Sequence, residues 1–320
     1  MITIYAKRAL QVAMRVAMTQ KGDHDRAVEA ARLTTMNPPS PAVCRLLLGR
    51  ELRQLREAAG INRDELTTST KWQPSKISRI EQGQATLQAA ELERLLELFQ
   101  PPAADAERVR SLAAQARKRG SFGKVPDWSR QYLGLESDAD ALMTWDSELI
   151  PGLVQTEEYA RAIVSTSVVV APADIDQTVQ ARLRRQSLVT RSDPPQLNII
   201  LGEAALRREV GGADVLRRQL EHLRSVATLP HVTLQILPFT SGEHAAMGTS
   251  FTLLRLELED ATFTYAYLES LTRADCLDGA QHVEVYQMVI ERLRIAAMGQ
   301  RETLTALDRA ISDLTSRSPA

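Results

Sequence analysis

GINRDELTTSTKWQPSKISRIEQG, residues 60–83, carries the start and stop signals of two short helices separated by a tight turn. Asn62 is a good N-cap, because its side-chain oxygen can accept a hydrogen bond from an amide that the first turn leaves unpaired. With Asp64 and Glu65 behind it, a first helix is expected from Arg63 to about Ser69. Lys71-Trp72-Gln73 forms the turn, and Pro74 stands at a first helical position, where its missing N–H does no harm. The second helix then runs to about Gln82, with Gly83 as its stop. On a wheel of about 3.6 residues per turn, Ile77 and Ile80 point inward. Ser75, Ser78 and Arg79 point outward, and Lys76 lies on the flank.

The outward set is small, polar and cationic. A helix with such a face fits a major groove, offering Arg79 to guanine and Lys76 to phosphate. Gln73 and Arg63, beside the starts of the two helices, complete the expected DNA-contacting set. The stretch resembles the lambda-repressor/Cro-like (XRE-type) helix-turn-helix family, most closely through S-K-I-S-R-I-E-x-G at Ser75–Gly83. That resemblance implies that Glu81 is buried and paired with a basic residue on a preceding helix, which by position is Arg56. Two residues depart from the family pattern. Thr67 replaces the usual alanine and must bury a hydroxyl. Lys71 replaces the usual turn glycine, so a left-handed backbone there costs roughly 1 kcal/mol.

At 320 residues the chain has room for two domains. Its 44% hydrophobic and 25% charged residues are those of an ordinary globular protein, and its net charge of −1 gives no global signature of nucleic-acid binding. Between Pro41 and Gly83, however, eight basic residues face five acidic ones. So small an excess calls for a dimer or a cooperative assembly to reach specific affinity. Two cysteines, Cys44 and Cys276, are too few for a disulfide framework or a cysteine-rich zinc site, and they fit a reducing cytoplasm. No run of about 18 apolar residues is present, so no membrane partner is expected.

Residues 1–40 are read as an N-terminal extension, helical or disordered. Leu10, Met14, Ala17 and Met18 recur at helical spacing among Lys7, Arg8, Arg15 and Lys21. This is either a basic amphipathic arm or a leader ahead of a natural start at Met36. A helix-turn-helix domain of five helices is expected over 41–119. Its first helix carries Leu48, Leu52, Leu55 and Ala59, its fourth Leu92, Leu95, Leu96 and Phe99, and its fifth Val109, Leu112, Ala113 and Ala116. The closing cluster Arg117–Arg119 either meets phosphates or complements its own helix dipole. A hinge follows over 120–127, then an α+β regulatory and partner-binding domain over 128–314, and a tail over 315–320.

Within that second domain, Trp145–Ile163 reads WDSELIPGLVQTEEYARAI. Pro151-Gly152 is a turn signal, Thr156 an N-cap, and Tyr159 and Ile163 share one helix face. The stretch is similar to a signature in the large C-terminal domain of actinobacterial helix-turn-helix regulators described as antitoxin-like, which are often encoded beside a small partner protein. With residues 60–83, the resemblance spans nearly all of 36–314. Both packing and a binding pocket explain Tyr159. An arginine-rich helix over Val179–Arg191 is either solvated or a partner-binding or DNA-backbone surface. Strands are expected at Leu197–Leu201, Val232–Leu237, Ser250–Leu256 and Thr262–Tyr267, the last two forming a hairpin, with helices at Ala213–Ala227, Gly279–Met298 and Glu302–Leu314. The fold class is therefore mostly α, with a small mixed sheet of about four strands in the second domain.

No H-E-x-x-H, G-x-S-x-G or P-loop pattern occurs, and Glu203, Glu243, His244, Asp275, Cys276 and His282 stand as isolated candidates. No enzyme activity, cofactor or metal site is expected. The Ser241–Gly248 loop, with Glu243 and His244, is the best candidate contact for a ligand or partner, alongside Tyr159. The expected protein is a cytoplasmic, sequence-specific regulator that binds double-stranded DNA as a homodimer and responds through its C-terminal domain. An antitoxin-like protein that mainly neutralises a small cognate partner, or a ligand-gated regulator, is the alternative.

Overall fold

Ser40 caps the first described helix by accepting the Val43 N–H on its hydroxyl, and Pro41 follows at the first helical position. The computed structural model describes residues 39–118, 129–258 and 261–317. The expected extension, apart from its last two residues, and the expected hinge over 120–127 lie outside them. Five helices come first: α1 (Pro41–Ala58), α2 (Arg63–Thr70), α3 (Pro74–Glu81), α4 (Ala89–Phe99) and α5 (Ala103–Ala116). Leu48, Leu52, Leu66, Ile77, Ile80, Leu92, Leu95 and Val109 fill the core between them. α1 crosses the end of α3 so closely that a Cβ on Gly49 would lie 2.5 Å from the Ile80 carbonyl oxygen. Only glycine permits that approach.

The second part contains α6 (Ser129–Asp138), β1 (Ala141–Asp146), α7 (Glu157–Ser165), α8 (Ile175–Arg185), the short α9 (Ser187–Thr190), β2 (Gln196–Gly202), α10 (Ala213–Val226) and β3 (Val232–Leu237). It continues with β4 (Phe251–Leu258), β5 (Ala261–Glu269), β6 (Ala274–Leu277), α11 (Ala280–Ala296) and α12 (Gln300–Arg317). Its mixed sheet has six strands in the order β3-β2-β1-β4-β5-β6. β1, β2 and β3 run parallel, and β4, β5 and β6 extend the sheet antiparallel. The expected class is correct, but four strands was too few. β1 lies at the centre, where both faces are covered and the clean alternation of a half-exposed strand is lost. β6 has only four residues, at an edge.

One sheet face carries Leu142, Leu197, Ile199, Leu201 and Leu254 beneath α6, α7, α10 and α12. The opposite face carries Trp145, Ile200, Leu253 and Ala266 beneath α11. α1 belongs to both parts of the chain. Cys44, Leu48 and Leu52 enter the five-helix core, whereas Val43 and Leu46 enter the sheet core. Its N-terminus is held on α6, where Ser40 donates its N–H to Asp138 Oδ2 at 2.6 Å and its hydroxyl to the Gly134 carbonyl at 2.9 Å. Further along α1, the Arg50 guanidinium lies 4.7 Å above the Phe263 ring.

Candidate nucleic-acid interface

Local sequence chemistry sets the angle between α2 and α3. Asn62 Oδ1 accepts the Glu65 N–H at 2.9 Å, and Glu65 Oε2 accepts the Asn62 N–H at 2.9 Å. This reciprocal capping box closes two orphan amides at the start of α2. Lys71 terminates α2 with a φ of 60°, in the left-handed region. Thr67 is half-buried, and its hydroxyl donates to the Arg63 carbonyl at 2.8 Å, so nothing polar is stranded. α3 begins at Pro74 with no side-chain cap. Pro74 has no N–H, and the Lys76 and Ile77 amides turn back to the Gln73 carbonyl at 2.9 and 3.4 Å, so among the described residues the Ser75 N–H is the one left open to an anion.

Ile77 and Ile80 pin α3 to the core. Gln73, Ser75 and Arg79 are exposed, and Ser78 is half-buried. Among the described residues the Arg79 side chain makes one hydrogen bond, from Nε to the Ser75 carbonyl at 3.4 Å. Glu81 turns the other way, under the helix, where its carboxylate is only 5% exposed. It accepts Arg56 Nε at 2.7 Å on one oxygen, and Arg63 Nε and Nη2 at 3.0 and 2.8 Å on the other. Arg56 Nη1 donates to the Ile61 carbonyl at 2.8 Å. The cluster ties α1, α2 and α3 together, and Arg56 Nη2 also meets the half-exposed Glu57 at 3.4 Å.

Lys76 is engaged within the chain. Its ammonium pairs with Glu91 of α4 and lies 4.3 Å from the centre of the Trp72 ring. Sequence reasoning did not find Glu91 or Trp72. The hint was an aromatic residue in an otherwise polar turn. Of the two α3 cations, Arg79 is the one that faces no carboxylate among the described residues. At the end of α5, Arg117 Nη1 donates to the Leu87 carbonyl at 3.4 Å, and Arg119 lies outside the described residues.

The C-terminal candidates do not come together. Tyr159 is fully buried in the α7 face of the sheet core, and its hydroxyl accepts the Ile150 N–H at 3.3 Å. His244 packs edge-on against Trp145 on the opposite face, with ring centroids 5.1 Å apart, and Glu243 is exposed. The sheet thus separates Tyr159 from the Ser241–Gly248 loop, so the three residues do not form one contact surface. The arginine-rich stretch also reads differently from expectation. α8 stops at Arg185, where Gln186 Nε2 leaves the helix to donate to the Gly152 and Gln155 carbonyls at 3.0 and 2.7 Å. Arg185 makes a two-point ion pair with the buried Glu136 at 2.8 and 3.1 Å, and Arg182 donates to Gln155 Oε1 at 2.8 Å. Burial pushes the Arg182 guanidinium down to about 10. These two arginines brace the Pro151–Gln155 turn, while Arg184 is exposed.

Glu203 accepts the Phe239 N–H at 2.9 Å and is paired with Arg207, so its role is a brace. Burial, with Asp278 adding to it, pushes the Cys276 thiol up to about 12, far from the range of a reactive thiolate. Among the described residues, no group of three metal-ligating side chains converges, and no helix is long and apolar enough to cross a membrane.

Two family models match the chain. A helix-turn-helix domain matches residues 47–109, which span most of α1 through the middle of α5. A domain of unknown function, DUF5753, matches residues 129–309, from the start of α6 into α12. No curated protein and no solved structure matches the chain. The helix-turn-helix match identifies the N-terminal helices as a DNA-binding domain. Because the other match spans more than half of the 320 residues, the chain belongs to the DUF5753 family.

Proposed function

We propose that this protein is a sequence-specific transcriptional regulator of the XRE type, which reads the major groove with α3 as a homodimer on two half-sites. The exposed, unneutralised Arg79 on the outer face of α3 carries this reading. Arg79 contacts a guanine edge, and Gln73, Ser75 and Ser78 supply shorter polar contacts beside it. The Ser75 N–H at the uncapped α3 N-terminus receives a phosphate and fixes register, while Arg63 braces the far end of the helix through Glu81. Lys76 reaches a phosphate only by exchanging its Glu91 carboxylate for it. One such helix covers only a few base pairs, so a second protomer about one helical turn away supplies the rest of the site. The C-terminal domain receives the regulatory input, which we assign to a small partner protein.

Selection from a random duplex pool should enrich a two-fold symmetric motif, and absence of enrichment would remove the specific reading. On the enriched site, Arg79→Ala should weaken binding by about 1–3 kcal/mol and relax preference at one position. Unchanged affinity and preference in a polarization titration would take Arg79 out of the readout.

A further inference from the structure

Among the described residues, the helical side chains packed on the Trp145 face of the sheet all come from α11. α11 turns Val283, Ile290 and Leu293 inward and leaves Val285, Met288 and Ile295 exposed by 55, 54 and 79%. With Arg292, these outer residues are spaced three, four and three positions apart, the rhythm of helices that pair through a single seam. A further exposed apolar side chain lies near the C-terminal end of the helix. Ser241 Oγ donates to the Ala296 carbonyl at 3.2 Å, which sets the Phe239–Ser241 turn against the end of α11, and Phe239 is itself 62% exposed. Exposed apolar side chains grouped on one helix face, and not scattered singly, mark an interaction site.

The seam is complementary to itself. Laid antiparallel on a second copy, about a two-fold axis level with Ile290, Val285 meets Ile295 of that copy and Met288 meets its Arg292. Helical side chains lean toward their own N-terminus. Arg292 therefore leans back across the axis toward Glu291 of the second copy. Within one chain Glu291 is held by Arg294 at 2.9 Å, whereas Arg292 has no carboxylate partner among the described residues. Two symmetric Arg292–Glu291 bridges would give the apolar seam one register, as a polar residue in a coiled-coil seam does.

We infer that two copies of this chain associate through the outer face of α11, antiparallel, to form the regulatory dimer. The inference rests on the homodimeric reading above and names its surface. Light scattering on the full chain over a concentration series tests it, with Ile295→Glu, Arg292→Glu and the double variant Arg292→Glu/Glu291→Arg. The wild-type chain should be a dimer. Ile295→Glu should raise the dissociation constant about thirty-fold or more, since it buries a charge in an apolar seam. Arg292→Glu should weaken the dimer, and the double variant should restore it. All three changes lie on exposed positions, so their melting curves should match the wild type. A wild-type monomer at micromolar concentration would overturn both the dimeric reading and this interface. A wild-type dimer that tolerates Ile295→Glu and Arg292→Glu would overturn the interface alone. Protection of α11 from hydrogen exchange that follows addition of a different protein, and not the concentration of this chain, would assign the seam to that protein and overturn the inference.

Discussion

Glu81 collects three hydrogen bonds from two arginines, yet only one of those arginines depends on it for its charge balance. Arg63 is half exposed and can turn to water, whereas Arg56 is 7% exposed and would keep only the longer contact to the half-exposed Glu57, at 3.4 Å. Glu81→Ala should therefore cost about 3–5 kcal/mol through the stranded Arg56, read as a fall in the urea midpoint. A midpoint that does not move would show the pair to be solvated in solution. Lys76 invites the opposite experiment. Its Glu91 partner works against phosphate binding, so Glu91→Gln should tighten binding to all duplexes alike. An affinity equal to the wild type would mean that Lys76 never reaches the backbone. Burial pushes the Glu91 carboxyl up, but the Lys76 ammonium and the Gln88 N–H outweigh it and hold it below its ordinary 4.5. A depressed carboxyl stabilises the fold above its unfolded pKa and loses that contribution as pH falls through the folded value. The acid side of the pH–stability profile should accordingly be shallower in Glu91→Gln. Arg56 and Glu81 could be named from the sequence because a family motif carries them. Glu91 could not, since it lies on another helix and no periodicity links it to Lys76.

At the scale of elements, helix ends were legible wherever a capping residue spoke for itself. Asn62, Pro74 and Thr156 all stand where their chemistry placed them. Lys71 is the instructive end, because the sequence indicated a left-handed residue without the glycine that usually supplies it. Lys71→Gly should raise stability by somewhat under 1 kcal/mol, the relief of strain being partly offset by the wider freedom glycine has when unfolded. An unfolding midpoint lower than wild type would mean that the lysine side chain makes contacts of greater worth. Elements buried on both sides were harder to see. β1 gives no strand signal of its own, because its A-L-M-T-W-D has neither strict alternation nor a long apolar run. The brace formed by the α8 arginines is not legible in the sequence because their partners, Glu136 and Gln155, come from distant stretches.

At the scale of the whole molecule, the sequence suggested two bodies joined by a hinge, and the packing of α1 adds a connection independent of it. Because α1 supplies side chains to both cores, the helices and the sheet should unfold together. Calorimetry should give one transition, with van't Hoff and calorimetric enthalpies in agreement. Two resolved transitions would show that α1 can leave one core without the other. The contact is also specific. A Cβ on Gly134 would fall 2.3 Å from the Ala42 Cβ, so Gly134→Ala should lower stability by about 1–3 kcal/mol. A melting temperature equal to the wild type would show that the two helices part freely. None of this was legible beforehand, since the face that α1 gives to the sheet reads as a continuation of its own amphipathic stripe.

The shared helix bears on the kind of operator such a protein can accept. With α1 built into the sheet core, the distance and twist between two recognition helices become a property of folded protein, not of a flexible tether. A regulator on a loose tether would accept half-sites at several separations. This one should behave as a caliper of fixed span. Inserting a single base pair between half-sites, a rotation of about one tenth of a turn, should abolish two-site binding.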